Sequence, residues 1–124
     1  MKKKKHGKKY DAGKVDLSLV PYEVLEEISK VLMHGARVYG RYNWEDGLNY
    51  TRLDSAALRH RGKFMDRHER IDADDVCKTC KTPPCDVHSQ RHHLAATIVN
   101  YMFLLSFELN NRTDLDDRRP KKIK

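Results

Sequence analysis

The chain has 124 residues, 35% of them charged, with a net charge of +7 and a mean hydropathy of −0.82, which suits one domain with a modest core. No apolar run approaches the roughly 20 residues of a membrane span, and the lysine-rich start never turns into a signal-peptide hydrophobic region, so a soluble cytoplasmic protein is expected. The charge is uneven: residues 1–14 carry +6 and 112–124 carry +3, while the body from 15 to 111 carries −2.

In chain order, residues 1–9 read as a basic flexible tail, 10–111 as a single domain and 112–124 as a charged C-terminal tail. Lysine runs such as Lys2 to Lys5 are solvated in most proteins; weak, salt-sensitive attraction to a polyanion is the sharper alternative. Neither end is expected to form a packed core. Pro21 opens a helix to about Tyr39, with Gly40 as its exit. Leu25, Ile28, Leu32, Gly35/Ala36 and Tyr39 recur at helical spacing and predict its inner face. The loop GRYNWEDGLNY follows. A second helix is predicted from Thr51, fading near His68, with Leu53, Ala57, His60/Arg61 and Phe64 on one face. Thr51 and Asp54 read as its capping box. An acidic stretch, DRHERIDADD, leads to the cysteine segment. A third helix is predicted from about Ser89 to Asn110; its middle is apolar nearly all round and so should be buried. No strand alternation persists. The predicted fold is all-α, a small helical bundle, with dimerisation or a further short helix to cover its thin core.

Glu23, Glu26 and Glu27 sit at neighbouring positions of one helix surface, continued by Lys30 and His34. They form either a solvated face with a Glu26–Lys30 pair or a site for a hard divalent cation, which takes carboxylate oxygens. The acidic stretch, with Asp66, Glu69, Asp72, Asp74 and Asp75, supplies a second set of carboxylates. Two facing sets suit several Mg²⁺ ions and phosphoryl chemistry; alternatively these acids flank the next helix terminus, favoured by its dipole. Asn100 stands alone among apolar neighbours, seven residues after His93, and needs partners across the bundle or in a polar site. Lys14 is an available phosphate counter-charge. Tyr42, Asn43 and Trp44 combine stacking surface with an amide, which suits a nucleobase, or Trp44 packs on the core.

The order YDAGK at 10–14, LVP at 19–21, LEEISKVL, GARVYGRYNWEDG, AALRH, the acidic turn and HHLAATIVNYMFLL resembles the phage-type dATP/dGTP diphosphohydrolases, the MazZ-like branch of the MazG-like all-α nucleotide pyrophosphatases. The resemblance spans roughly residues 10 to 106. It implies an oligomeric helical bundle that binds Mg²⁺ or Mn²⁺ and cleaves a purine deoxynucleoside triphosphate, dGTP or dATP, to the monophosphate and pyrophosphate. Carried over, Glu23, Glu26 and Glu27, with Asp72 and Asp74, become catalytic metal ligands. Lys14 becomes a phosphate contact. Asn43 and Trp44 become candidates for the base pocket. His60, His93 and Asn100 join the substrate site. The pattern departs at Lys30, where a further acid is usual, and at Ala96, where a second histidine is usual.

The link before the third helix is longer than in that family and holds all three cysteines. Cys77, Cys80, Cys85 and His88, with His92 as the alternative fourth ligand, form a Cys3His set that suits a closed structural Zn²⁺ site, a zinc loop at 77–92. The alternatives are a surface loop of free thiols and, for the whole chain, a zinc-stapled nucleic-acid-binding module. The −2 body argues against the latter.

Overall fold

A computed structural model describes residues 7–10, 12–73 and 90–121. Asp74, Cys77, Cys80, Cys85 and His88 lie outside the described residues, and with them most of the predicted zinc loop.

Three helices carry the described fold. Helix α1 spans Tyr22–Tyr39, as predicted. Pro21 caps it with the fixed φ of −60° that proline prefers, and Gly40 closes it at φ 100°, its N–H donating to the Ala36 carbonyl. Helix α2 spans Tyr50–Met65 and helix α3 spans His93–Leu109. Between them, Ile71–Ala73 (β1) pairs antiparallel with Gln90–His92 (β2), Asp72 opposite Arg91. Residues 90–92, predicted to open the third helix, therefore form a strand. Three residues are too few for alternation to be visible in a sequence. The described residues are thus mostly helical, with a small two-stranded ribbon added.

Helices α2 and α3 run antiparallel: His60 meets His93, Ala57 meets Thr97 and Asp54 meets Tyr101 in turn. Ala57, Ala95, Ala96 and Val99 are buried. Small side chains let the two backbones approach, and the Thr97 hydroxyl reaches the Ala57 carbonyl at 3.2 Å. At the far end Tyr50, Leu53 and Phe107 form the core cluster, with Trp44, Leu48, Phe103, Leu104 and Leu115 packed on it. Each fully buried side chain of this kind contributes about 1.5–3 kcal/mol.

Three predictions about burial need correction. No residue of α1 is fully buried, and Leu25 and Tyr39, assigned to its inner face, are 45% and 71% exposed. Helix α3 is not buried all round: Leu94, Ile98, Tyr101 and Leu105 remain open along one side. The segment after 111, read as a charged tail without packing, folds back on the body. Leu115 enters the core cluster, and Asp117 accepts hydrogen bonds from the Thr51 N–H and hydroxyl at 2.9 and 2.6 Å. That carboxylate replaces the predicted capping box. The actual N-cap, Asn49, makes no side-chain bond, and Asp54 instead accepts from the Tyr101 hydroxyl at 2.7 Å. Among the described residues no helix is long and apolar enough to cross a membrane.

Candidate active site

Because α1 lies against α3 and β2 without sealing onto α2, a cavity of about 850 Å³ opens between α1, α2, α3 and the loop after α1. Its two ends differ in chemistry.

One end is aromatic. Tyr42 adopts a left-handed backbone at φ 62°, a costly conformation for a bulky residue. It turns the chain into the helical turn Asn43–Asp46, which brings Asn43 and Trp44 to the cavity wall. One face of Trp44 is already covered: Phe103 stacks on it at 4.5 Å and 16°, with Phe107 tilted at 5.8 Å. Such a stack contributes about 0.5–1.5 kcal/mol beyond burial. Trp44 is therefore both a core residue and a cavity residue. Asn100 also lines the cavity, its amide N–H donating to the Ala96 carbonyl one turn earlier at 2.8 Å.

The other end is ionisable. The Nδ1 atoms of His60 and buried His93 lie 2.9 Å apart, so one ring donates its proton to the other. Burial holds both histidines below their ordinary pKa. His93 adds to this at His60, and nearby Asp72 opposes it at both. Glu69 approaches the other nitrogen of His93 at 4.0 Å. Asp72 faces the buried Arg91 at 3.7 Å across the ribbon. At the ribbon's end His92 spends Nδ1 on the α3 terminus, accepting from the Leu94 N–H at 3.0 Å.

The carboxylates of α1 do not line this cavity. Glu23 and Glu26 are exposed, and Lys30 pairs with Glu27 at 3.0 Å rather than with Glu26. Among the described residues no three His, Cys, Asp or Glu side chains form a group that could hold a metal ion. The donors at hand on α1 and β1 are nonetheless carboxylate oxygens, the chemistry a hard divalent cation takes. Helix α1 packs against β2, the strand paired with the one that carries Asp72. Lys14 is exposed and apart from the cavity wall. Three arginines that the sequence reading passed over, Arg41, Arg52 and Arg59, do line it. The signal for two of them was present: Arg52, Ala56, Arg59 and His60 share one face at helical spacing.

Comparison with known proteins gives the site its context. A dATP/dGTP diphosphohydrolase of Salmonella phage PMBT28 is 36% identical over 113 residues, covering 91% of this chain. The chain spans about a third, 33%, of that curated relative's length. No solved structure matches. The family model described as dATP/dGTP diphosphohydrolase, N-terminal, matches residues 4–118, and on that coverage the chain belongs to this family.

Proposed function

We propose that the chain hydrolyses purine deoxynucleoside triphosphates, dGTP and dATP, to the monophosphate and pyrophosphate. The observation that carries this reading is one cavity with an aromatic, amide-bearing end and an end at His60, which His93 backs from off the wall with Glu69 behind it. A purine suits the first end: Asn43 offers an amide for its edge, and Trp44 an apolar wall that excludes water. The reacting phosphates suit the second. A water attacks there, the bond between the α- and β-phosphates breaks, and pyrophosphate leaves. A carboxylate among Glu23, Glu26 and Glu27, which lie on α1 off the cavity wall, would take the water's proton. His60 and His93, held neutral by burial, orient polar groups without adding charge.

On this reading Glu23, Glu26, Glu27, Asp72 and Asp74 would hold Mg²⁺ or Mn²⁺, which would supply positive charge against the triphosphate and lower the pKa of a water. Cys77, Cys80, Cys85 and His88 hold a structural Zn²⁺ that ties the acidic turn to α3. The chain works as a homo-oligomer in the cytoplasm, that of the host if it is phage-encoded.

Incubation with each deoxynucleoside triphosphate and Mg²⁺, followed by separation of products, should yield dGMP or dAMP and pyrophosphate. No turnover of any of the four, together with tight DNA binding, overturns the reading in favour of a nucleic-acid-binding module. Glu23→Ala or Glu26→Ala should abolish turnover in a chain that still folds; wild-type rates in both exclude the α1 carboxylates. Metal analysis should find about one zinc per chain, and none after Cys80→Ser.

A further inference from the structure

Among the described residues the cavity wall holds three arginines and no carboxylate, although the body of the chain is slightly acidic. Three arginines elsewhere face carboxylates: Arg91 faces Asp72, Arg112 holds Asp114 and Arg118 holds Asp116. The cavity arginines differ. Arg59 donates to a neutral partner, the Ser55 hydroxyl, at 2.8 Å. Arg41 lies over the Tyr42 ring at 5.3 Å. The Arg52 guanidinium has no ion-pair or side-chain hydrogen-bond partner among the described residues. Unpaired guanidinium groups around a concave, largely apolar surface attract an anion, and their planar donor forks match phosphate oxygens.

Arg52 and Arg59 stand seven residues apart on α2, two turns or about 10 Å along one face. Between them on the wall α2 contributes only the buried Leu53 and the small Ala56, neither of them charged. That row begins beside the aromatic end and finishes next to His60.

We propose that Arg52 and Arg59 form the subsite that holds the substrate's phosphate chain along α2, in place of the exposed Lys14. This rests on the nucleotide reading above and adds the residues that take the anion. Phosphates laid along this row bring the reacting end to the histidines while the base meets Trp44 and Asn43.

The test uses inorganic tripolyphosphate as probe, without metal, followed by calorimetry at low salt. The wild-type chain should bind it, and affinity should fall steeply as salt rises. Arg52→Ala and Arg59→Ala should each weaken binding roughly 10- to 100-fold, the size of a lost charge-assisted contact. Arg52→Gln and Arg59→Gln, which keep more of the side chain, serve as the second pair. Both arginines are exposed, so melting midpoints should match the wild type. Lys14→Ala should leave affinity unchanged, and deoxyguanosine, which has no phosphate, should bind all variants alike. Wild-type tripolyphosphate affinity in both arginine variants, or its loss in Lys14→Ala alone, overturns the proposal. If the wild-type chain turns over no deoxynucleotide while the arginine variants still lose tripolyphosphate, the enzyme reading fails and the anion subsite stands.

Discussion

His60 and His93 touch nitrogen to nitrogen, and that sets how the fold responds to pH. Burial is the largest cause of both lowered pKa values. Lys63 lowers both, Arg59 adds at His60 and His92 at His93; Asp72 opposes at both and Glu69 at His93. Above about pH 6.5 the rings are neutral in folded and unfolded chains alike. Below it the unfolded chain takes up protons that the folded rings refuse, so stability falls as pH drops toward the folded-state values. Urea midpoints should therefore decline from pH 7.5 to 5.5, and His93→Gln should show a shallower decline. Equal slopes in the two proteins remove the pair as the cause. Neither histidine's partner was legible in the sequence, because 33 residues separate them and only the antiparallel packing of α2 and α3 joins them. Trp44 was half legible: its loop advertised an aromatic beside an amide, but the stack on Phe103 depends on where α3 passes.

Boundaries of α1 and α2 were readable because proline, glycine and apolar spacing act locally. What tightens the second helix was not. Its cap comes from Asp117, 66 residues beyond Thr51, and the carboxyl is lowered in pKa chiefly by the Thr51 hydroxyl that bonds it. Three contacts make the segment from Arg112 to Asp117 a strap over the cavity loop. Arg112 donates to the Glu45 carbonyl at 3.3 Å, Leu115 packs against Gly47, and Asp117 caps α2. Gly47 sits at φ 121°, and a Cβ there would meet Leu115 Cδ2 at 2.9 Å, so only glycine lets the strap lie this close. Leu115→Ala should cost about 1–2 kcal/mol, below the range for a fully buried leucine because this one is partly exposed. Asp117→Ala should speed amide exchange at Thr51 and raise KM for dGTP more than it lowers kcat, since the strap positions the loop bearing Asn43 and Trp44. Asp117→Asn, which keeps an acceptor, should recover most of both effects. An unchanged KM with faster exchange would leave the strap a purely structural cap.

At the scale of the molecule, apolar surface among the described residues is poorly covered, and the manner of its exposure suits the homo-oligomer proposed above. Spacings of four, three and four put Leu94, Ile98, Tyr101 and Leu105 on one stripe of α3, each between 37% and 57% exposed. The α2 side continues it. Asp54 bonds Tyr101 across the helix pair, and Leu58, one turn along α2 from Asp54, is 52% exposed. A continuous stripe of this kind on two packed helices differs from scattered surface leucines, which need no explanation. An antiparallel pair presenting such a face suits a two-fold contact with a second copy, in which each stripe meets its equivalent. The apolar run of α3 was read in the sequence as a sign of full burial; the pattern could not say whether the cover comes from the same chain or from another. The wild-type chain, 14.6 kDa per copy, should elute with a light-scattering mass of a dimer or tetramer. Ile98→Glu with Leu105→Glu should yield a folded monomer, because both positions are open in the single chain and the charges cost little there. A wild-type monomer at all concentrations, or an oligomer that survives both charges, would mean that this face is not the contact.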